Sequence, residues 1–459
     1  MSGPGSTVTA PFAARRPPPP PSPQLRAIVL PLFLELGLGI GVGLVGTLLA
    51  ARVSDDAGAA FSLAQHVAAM LFLFFRIIGA GVGVVVAQAL GSGRRDAADA
   101  VARATLGASS WLGALTAMFA LAGAAPLMRL LNAPAEVLPL AAPFLQALAP
   151  AMLLDAWNAS MASVMRAHLR VRDTLAVILV MHSVHLAGAL LLMPQMGLPG
   201  FALALLASRA LGLAMHLALW RWRLRITPRA ADWWRLRRPE LAAVLRIGLP
   251  GAAENIAYRL CFMVSVAVAG QLGAAALATQ AYVMQIVHFV LLAGLASGLS
   301  VEIVVGHLIG AGRLHEAHRL VRRALAWGLL LSVAIASAAA LAGPWLLSTF
   351  THDTQIVAAG AVLLWWTVLL EPGRTFNLVV INALRATGDA RYPVIAGAAS
   401  MVLVLAGGSW LLGHTLGLGL VGLWIAYAAD EWLRGLIMWR RWARLDWVPH
   451  ARAAHRRMK

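Results

Sequence analysis

Long apolar segments, separated by short polar loops, dominate the chain. An α-helix needs about 20 apolar residues to cross the roughly 30 Å hydrocarbon layer of a membrane. Hydropathy windows of that length predict about twelve spans. They lie near 27–51, 58–90, 101–123, 137–165, 173–194, 200–222, 244–270, 277–309, 322–343, 356–384, 393–412 and 419–438. The pattern therefore predicts an all-α integral membrane protein.

The second half of the chain repeats the first. Pro31 and Glu35 of span 1 have counterparts 219 positions later, in Pro250 and Glu254 of span 7. The same offset relates Gln88 to His307, Gly91 to Gly310, Asn158 to Asn377 and Arg166 to Arg385, and it slips to 222 near the end of each copy. Because six spans is an even number, both copies enter the membrane in the same direction, as parallel repeats do in some transporters. We predict two six-helix lobes, related by this parallel repeat, around a central cleft.

The predicted domain organisation follows from the repeat and from the loop charges. It consists of a disordered cytoplasmic tail (1–26), an N-lobe (27–222), a cytoplasmic linker (223–243), a C-lobe (244–438) and a basic cytoplasmic tail (439–459). Arginines concentrate after the even-numbered spans, so the positive-inside rule puts both termini in the cytoplasm. Arg- and Ala-rich usage hints at a bacterial chain, so we expect the bacterial inner membrane.

Composition excludes several classes of protein. Only 12% of residues are charged, against about 25% in soluble proteins. The net charge of +18 is spread over short loops instead of forming one stripe, which argues against a nucleic-acid partner. The single cysteine, Cys261, excludes a disulfide framework. The Gly-Lys-Ser/Thr ending of a Walker A nucleotide-binding loop is absent from the sequence, which argues against ATP as the direct energy source. We expect no cofactor beyond a coupling ion, and membrane lipids and a small molecule as partners.

Carboxylates inside the spans are the first candidates for chemistry, because a charge at mid-bilayer costs about 2.5–3.5 kcal/mol. Glu35 and Glu254 each lie one turn after a proline, which frees a carbonyl that could join an ion site. We interpret them as groups that exchange the coupling cation. That cation is H⁺ or, if oxygens group together near Glu254 or Glu35, Na⁺. The structural alternative is a carboxylate bonding a neighbouring helix or pairing with Arg76 or Arg259.

A second group of candidates lies deeper in the repeat. Glu371 and Arg374 are spaced i, i+3, so they can pair on one helix face. The N-lobe has Asp155 where the C-lobe has Arg374. Because equivalent positions carry opposite charges, Asp155 and Arg374 could form an ion pair across the cleft. Such a pair would have a structural or a transport role. The candidate set for ion coupling and substrate binding is completed by Asn158, Asn377 and Tyr258.

Other polar residues in the spans favour structural roles. Arg434 lies three and four positions after Glu431 and Asp430, so local neutralisation is the favoured interpretation. Gln88 and His307 lie at the ends of equivalent helices. We expect them to cap or bridge helices, as polar side chains in membrane bundles often do.

Three motifs resemble those of the multidrug and toxic compound extrusion (MATE) family. They are Val-Ala-Gln-Ala-Leu-Gly-Ser-Gly-Arg (86–94), its repeat Val-Gly-His-Leu-Ile-Gly-Ala-Gly-Arg (305–313), and Asn-Ala-Leu-Arg-Ala-Thr-Gly-Asp (382–389). The Gly-Leu-Pro start of span 7 agrees, and the resemblance extends over about residues 27–438. It implies antiport in which H⁺ or Na⁺ enters as an organic, often cationic, compound leaves.

One position departs from that resemblance. Many MATE transporters carry an aspartate midway along span 1, in a Val-Asp-Thr setting, whereas this chain has Val45-Gly46-Thr47. The usual coupling acid of the N-lobe is missing. The resemblance then implies that Glu35 takes over its role, or that coupling moves to Glu254 and Glu371 in the C-lobe.

Sequence alone favours a monomeric secondary antiporter that exports amphipathic, cationic small molecules in exchange for H⁺ or Na⁺. The alternative is a lipid or lipid-linked precursor flippase, in which Arg76 and Arg259 would receive a phosphate headgroup. A membrane scaffold or receptor without a transport cycle is a third class. An enzyme is not expected, since the sequence contains no nucleophile–base constellation and no metal-ligand spacing.

Overall fold

The computed structural model describes residues 25–131 and 133–457, and over those residues the chain forms fourteen α-helices and no strand. The predicted disordered tail, 1–26, lies almost wholly outside the described residues. The helices of the first half are α1 (Leu25–Val53), α2 (Asp55–Gly91), α3 (Arg95–Leu130), α4 (Leu138–Ala167), α5 (Val171–Met196) and α6 (Leu198–Leu219). Those of the second half are α7 (Arg238–Gln271), α8 (Ala274–Gly310), α9 (Leu314–Leu341), α10 (Gly343–Ser348), α11 (Thr354–Ala386), α12 (Arg391–Ser400), α13 (Gly419–Ala443) and α14 (Val448–Arg457).

The helices coincide with the predicted spans to within several residues, and the all-α fold class is confirmed. Within the described residues, 11 helices are long and apolar enough to cross a membrane. α12 reaches that length because π-helical turns, Met401–Ala406 and Ser409–Thr415, continue it. α13 is the predicted twelfth span, and it carries Asp430, Glu431 and Arg434 near its middle. Those charges lower the hydropathy of a helix that is otherwise long enough to span.

Each half of the chain packs around one central helix. α4 packs against α2, α3 and α6, while α11, its counterpart in the repeat, packs against α8, α9 and α13. Phe61, Phe144 and Phe201 form a cluster of stacked and edge-on rings in the N-lobe core. Large apolar side chains such as Leu115 and Leu403 are exposed on the outer faces, as expected for helices that are surrounded by lipid.

Short helical turns connect the two lobes. The π-helical turn Trp220–Leu224 ends α6, and a 3-10 turn, Ala230–Trp233, follows. The carboxylate of Asp232, which is buried, accepts a hydrogen bond from the Arg237 guanidinium at 2.8 Å. α7 begins at Arg238, six residues before the predicted start of the C-lobe, because the sequence between them already has helix-forming residues after Pro239.

The lobes meet closely where α2 and α8 end, and we call this the closed end. A Cβ atom added to Gly91 would lie 2.1 Å from the carbonyl oxygen of His307, and one added to Gly310 would lie 2.0 Å from that of Gln88. Only glycine permits the two helix backbones to approach this closely. The repeat thus places a glycine at the same point of each copy, where the two copies cross.

Two hydrogen bonds cross the closed end in a reciprocal manner. Gln88 Nε2 donates to the carbonyl oxygen of Ala386 at 2.8 Å. His307 Nε2 lies 2.8 Å from the carbonyl oxygen of Ala167. Each lobe therefore supplies one side chain to the last turn of the other lobe's central helix. The prediction that Gln88 and His307 cap or bridge helices is confirmed.

Candidate functional site

Two ion pairs at equivalent positions link the first and fourth long helices of each lobe. Glu35 of α1 lies 2.6 Å from Arg166 of α4. Glu254 of α7 lies 2.5 Å from Arg385 of α11. Both guanidiniums come from the last turn of their helix, and their length lets them reach a carboxylate deeper in the bundle. The proline-linked glutamates are therefore paired charges.

These partners differ from the ones that the sequence suggested. Glu254 pairs with Arg385 and not with Arg259, which is exposed on α7. The side chain of Arg76 is outside the described part of the structure. The signal for the observed pairs was present in the repeat. Glu35 and Arg166 both recur 219 positions later, as Glu254 and Arg385. Because both members of the pair are present in each copy, the repeat indicated that the glutamate contacts the arginine.

A larger buried network occupies the C-lobe between α11 and α13. Glu371 pairs with Arg374 at 2.6 Å, as the i, i+3 spacing predicted. Arg374 also lies 3.4 Å from Glu431. Arg434 lies 2.8 Å from both Glu431 and Asp430, so the predicted local neutralisation is present. These side chains are between 1% and 9% exposed, so water screens them little.

Neutral polar groups complete this C-lobe network. Asn377 Nδ2 donates to Glu431 Oε2 at 2.9 Å, and the Ser400 hydroxyl donates to Asp430 at 2.7 Å. The guanidinium carbon of Arg434 lies over the Tyr258 ring, 5.9 Å from the ring centroid. The predicted candidates Glu371, Arg374, Asn377 and Tyr258 are thus brought together around α13. Sequence reasoning gave too little weight to Asp430 and Glu431, which supply two of the carboxylates.

The N-lobe contains the counterpart of this network with the signs exchanged. Asp155 of α4 lies 2.6 Å from Arg209 of α6. Arg374 stands 219 positions after Asp155, and Glu431 stands 222 positions after Arg209. The suggested pairing of Asp155 with Arg374 across the cleft is therefore wrong. Each residue finds its opposite charge within its own lobe, because the partner position is also exchanged.

Three histidines line the same part of the N-lobe. Asn158 Nδ2 donates to the backbone oxygen of Arg209 at 2.9 Å, and its Oδ1 lies 2.9 Å from His216 Nδ1. His182 and His185 on α5 lie close enough to Arg209 to interact with it electrostatically. Asp155 and Asn158, both predicted, thus belong to one cluster. The i, i+3 spacing of the two α5 histidines was the signal that sequence reasoning missed.

The position of the missing span 1 aspartate is filled by aromatic rings. A Cβ atom added to Gly46 would lie 3.0 Å from Phe61 and 3.1 Å from Phe201. Phe201 also packs edge-on against the ring of His185, with centroids 4.6 Å apart. The space that an acidic side chain would need is therefore occupied. The packing around position 46 therefore fits a glycine.

The described cavities lie away from these charges. A cavity of about 430 Å³ lies beside α10 and the start of α11, with Pro344 and His352 in its lining. A smaller one of about 40 Å³ lies at the closed end, between Gln88 and Arg457. Among the described residues, no three His, Cys, Asp or Glu side chains are arranged to hold a metal ion. A Na⁺ site near Glu254 or Glu35 stays a prediction.

The sequence matches one family model, MatE, over residues 31–191 and 250–410. The two matched segments begin 219 positions apart, which is the offset of the repeat. The chain is 29% identical to the uncharacterized transporter YisQ of Bacillus subtilis, over 88% of this chain and 90% of that one. It is 28% identical to the probable multidrug resistance protein NorM of Bradyrhizobium diazoefficiens, over 85% and 87% of the two chains.

Solved structures show the same fold. A multidrug resistance MATE family transporter of the MOP superfamily, in an outward-facing conformation, superposes with a TM-score of 0.86 at 17% identity, over 93% of this chain and 96% of that one. The MATE transporter VcmN of Vibrio cholerae gives a TM-score of 0.80 at 19% identity, over 92% and 96%. The two-lobe architecture that the repeat predicted is thus the architecture of these transporters.

Proposed function

The chain belongs to the MATE family of membrane transporters, and on that premise we propose that it is a secondary active antiporter of the bacterial inner membrane. It exports amphipathic, cationic small molecules in exchange for H⁺ or Na⁺. Its relatives include a probable multidrug resistance protein, which supports multidrug efflux as the physiological task. Both termini are in the cytoplasm in this proposal, so the closed end faces the cytoplasm.

The observation that carries the proposal is the charge balance of the C-lobe network. Among the described residues it joins three carboxylates, Glu371, Asp430 and Glu431, to two guanidiniums, Arg374 and Arg434. One negative charge is left over when all five groups are ionised. A low-dielectric interior strongly disfavours an uncompensated charge. A proton, a Na⁺ ion or the cationic group of a substrate would each neutralise it, which is the competition that antiport requires.

The symmetric pairs provide the exchange step. Glu254 and Glu35 release their guanidinium partners when they bind the coupling cation, while Glu371 binds substrate or gates its access. Binding drives transport only if the cation has different affinities in the two lobe arrangements. Each pair lies within one lobe, but the helices that carry the glutamates, α1 and α7, also pack against α8 and α2 of the other lobe. A rearrangement of the lobes can therefore shift the carboxylate relative to its guanidinium partner. This supports Glu254 and Glu35 as the coupling groups.

Alternating access requires the closed end to open. The reciprocal bonds from Gln88 and His307 cross between lobes there, and they must break when the lobes rock apart. The close approach of Gly91 and Gly310 to the opposite helix and the apolar packing of α2 against Val244 and Ile247 of α7 also hold the lobes together here. Cation binding must therefore offset the loss of these contacts when the closed end opens.

The test uses purified protein in liposomes that contain a fluorescent cationic dye. A pH gradient and then a Na⁺ gradient are imposed, and dye export is followed for the wild type and for Glu254→Gln, Glu35→Gln and Glu371→Gln. We expect one gradient to drive export and Glu254→Gln to abolish that response. Glu316→Gln is the matched control, since this glutamate pairs with Arg313 at the start of α9, outside the network.

Unchanged gradient-driven export by Glu254→Gln and Glu371→Gln would refute the assignment of these carboxylates. No dye movement under either gradient, with the protein folded, would contradict the antiport proposal. Lipid scrambling in the same liposomes is then the assay for the flippase alternative.

A further inference from the structure

The N-lobe cluster contains a donor set that the proposed cation exchange does not use. We propose that Arg209, His182 and His185 form a site for an acidic group of the transported molecule, a carboxylate or a phosphate. The inference rests on the proposed function, since it assumes that the chain transports a small molecule. It adds that this molecule carries an acidic group, which the N-lobe receives while the C-lobe receives a cationic one.

The first argument is the state of the His185 side chain. Its ring is 3% exposed, and neither of its nitrogens has a hydrogen-bond partner among the described residues. A neutral imidazole always carries one N–H donor and one acceptor. Buried polar groups without partners are rare in folded proteins and call for an explanation. An acidic group bound beside His185 would supply the missing acceptor.

The second argument is the guanidinium of Arg209. Its Nε lies 2.6 Å from Asp155 Oδ1 as an ion pair, while both Nε and Nη1 are buried without a hydrogen-bond partner within the described part of the chain. Guanidinium groups bind carboxylates and phosphates through two parallel N–H donors. Asp155 lies beside Nε, so Nη1 can donate to a second acid. The side chain of Arg209 is 14% exposed, so it is not sealed inside the lobe.

The third argument is the way in which neighbouring helices position these donors. His182 and His185 lie on one face of α5, one turn apart, and α5 packs along α6, which carries Arg209. His216 and Asn158 tie the α6 backbone at Arg209 to α4. The donors therefore come from two packed helices, one of which is hydrogen-bonded to a third. Donors that are held in this way need little reorganisation when a ligand binds.

The fourth argument is the contrast between the lobes. The C-lobe network has an excess of carboxylates, whereas the N-lobe cluster has Asp155 balanced by Arg209, with imidazole rings near Arg209. The space beside His185 that could have held an acid at position 46 is filled by Phe201. Within this cluster of described residues, Arg209, His182 and His185 can all donate hydrogen bonds while Asp155 is the carboxylate that pairs with Arg209. An acidic ligand group is complementary to that excess of donors.

The test compares two forms of one dye that differ only at the acidic group. Wild-type protein in liposomes is given a rhodamine as the free acid, which is zwitterionic, and as its ethyl ester, which is cationic. A fluorescent phosphatidylglycerol tests whether the acid is a lipid phosphate. The variants are His185→Asn, His182→Asn and the charge-neutral double change Asp155→Asn with Arg209→Gln. His66→Asn is the matched control, because His66 is exposed on α2.

We expect the wild type to export the free acid, and the ratio of acid to ester export to fall at least tenfold in each folded site variant but not in His66→Asn. Movement of the lipid probe alone, lost in the same variants, would support the site with a lipid phosphate as its ligand. Export of the ester without the acid by the wild type would overturn the site and leave the antiport proposal intact. Equal loss of acid and ester export in the variants would also overturn it. Export of neither dye, together with no movement of the lipid probe, would contradict both proposals.

Discussion

The Glu254–Arg385 pair permits a quantitative test of how strongly two buried charges are coupled within the C-lobe. Its atoms are 2.5 Å apart, and the side chains are 10% and 14% exposed. Removing one partner of a buried pair leaves an uncompensated charge and costs about 3–5 kcal/mol. Replacing both partners by neutral groups is often close to neutral. We therefore expect Glu254→Gln and Arg385→Gln each to destabilise by about 3 kcal/mol, and the double variant by about 1 kcal/mol or less.

The assay is equilibrium unfolding in mixed micelles by titration with dodecyl sulfate, followed by tryptophan fluorescence, for all four proteins of the cycle. The second pair supplies an internal comparison. Glu35 and Arg166 are 12% and 23% exposed, so water screens them more and their coupling energy is expected to be smaller. The cycle built from Glu35→Gln and Arg166→Gln measures it under the same conditions.

A coupling energy below about 0.5 kcal/mol for Glu254 and Arg385, the value of an exposed surface pair, would refute the reasoning. Measuring gradient-driven export alongside stability distinguishes a structural role of the pair from a role in transport. The double variant is expected to regain stability but not gradient-driven export, since the neutral pair can no longer bind a cation. Full export by the stable double variant would mean that the pair has only a structural role.

Three further predictions concern the packing of the lobes. Gly46→Asp is expected to reduce the yield of folded protein, and adding Phe201→Ala is expected to restore it, as measured by size-exclusion chromatography, because the added side chain meets the Phe201 ring. Gln88→Leu with His307→Leu is expected to lengthen distances between spin labels on the ends of α2 and α8, because two bonds across the closed end are lost; unchanged distances would count against a role for these bonds in holding the closed end together. Cys261, which is buried, is expected to react with a maleimide at least tenfold more slowly in folded than in unfolded protein.

The fold could be predicted from the sequence because the hydropathy pattern locates the membrane spans and the repeat relates positions that are far apart in the chain. The offset of 219 residues paired Glu35 with Glu254 and Gly91 with Gly310, and each of these positions has an equivalent role in the structure. The i, i+3 spacing of Glu371 and Arg374 predicted their ion pair, since helical geometry fixes that contact.

Contacts between helices were harder to predict. Spacing within one helix does not say which neighbouring helix faces a given side chain, so Asp155 was assigned to Arg374 when its partner is Arg209. The change of offset from 219 to 222 hid the relation between Arg209 and Glu431. The two α5 histidines attracted no attention because a histidine in an apolar span has no fixed partner in sequence. Their meaning appeared only when α5, α6 and Phe201 were placed together.

The central claim, exchange of a cation for a small molecule, is tested most directly by measuring both movements together. Liposomes with a pH indicator, or with a Na⁺ indicator, are loaded with cationic dye, and the internal ion is recorded while the dye leaves. The account predicts that dye efflux through the wild type drives H⁺ or Na⁺ inward, and that the Glu254→Gln/Arg385→Gln variant shows neither movement. Dye efflux without any movement of H⁺ or Na⁺ would contradict it.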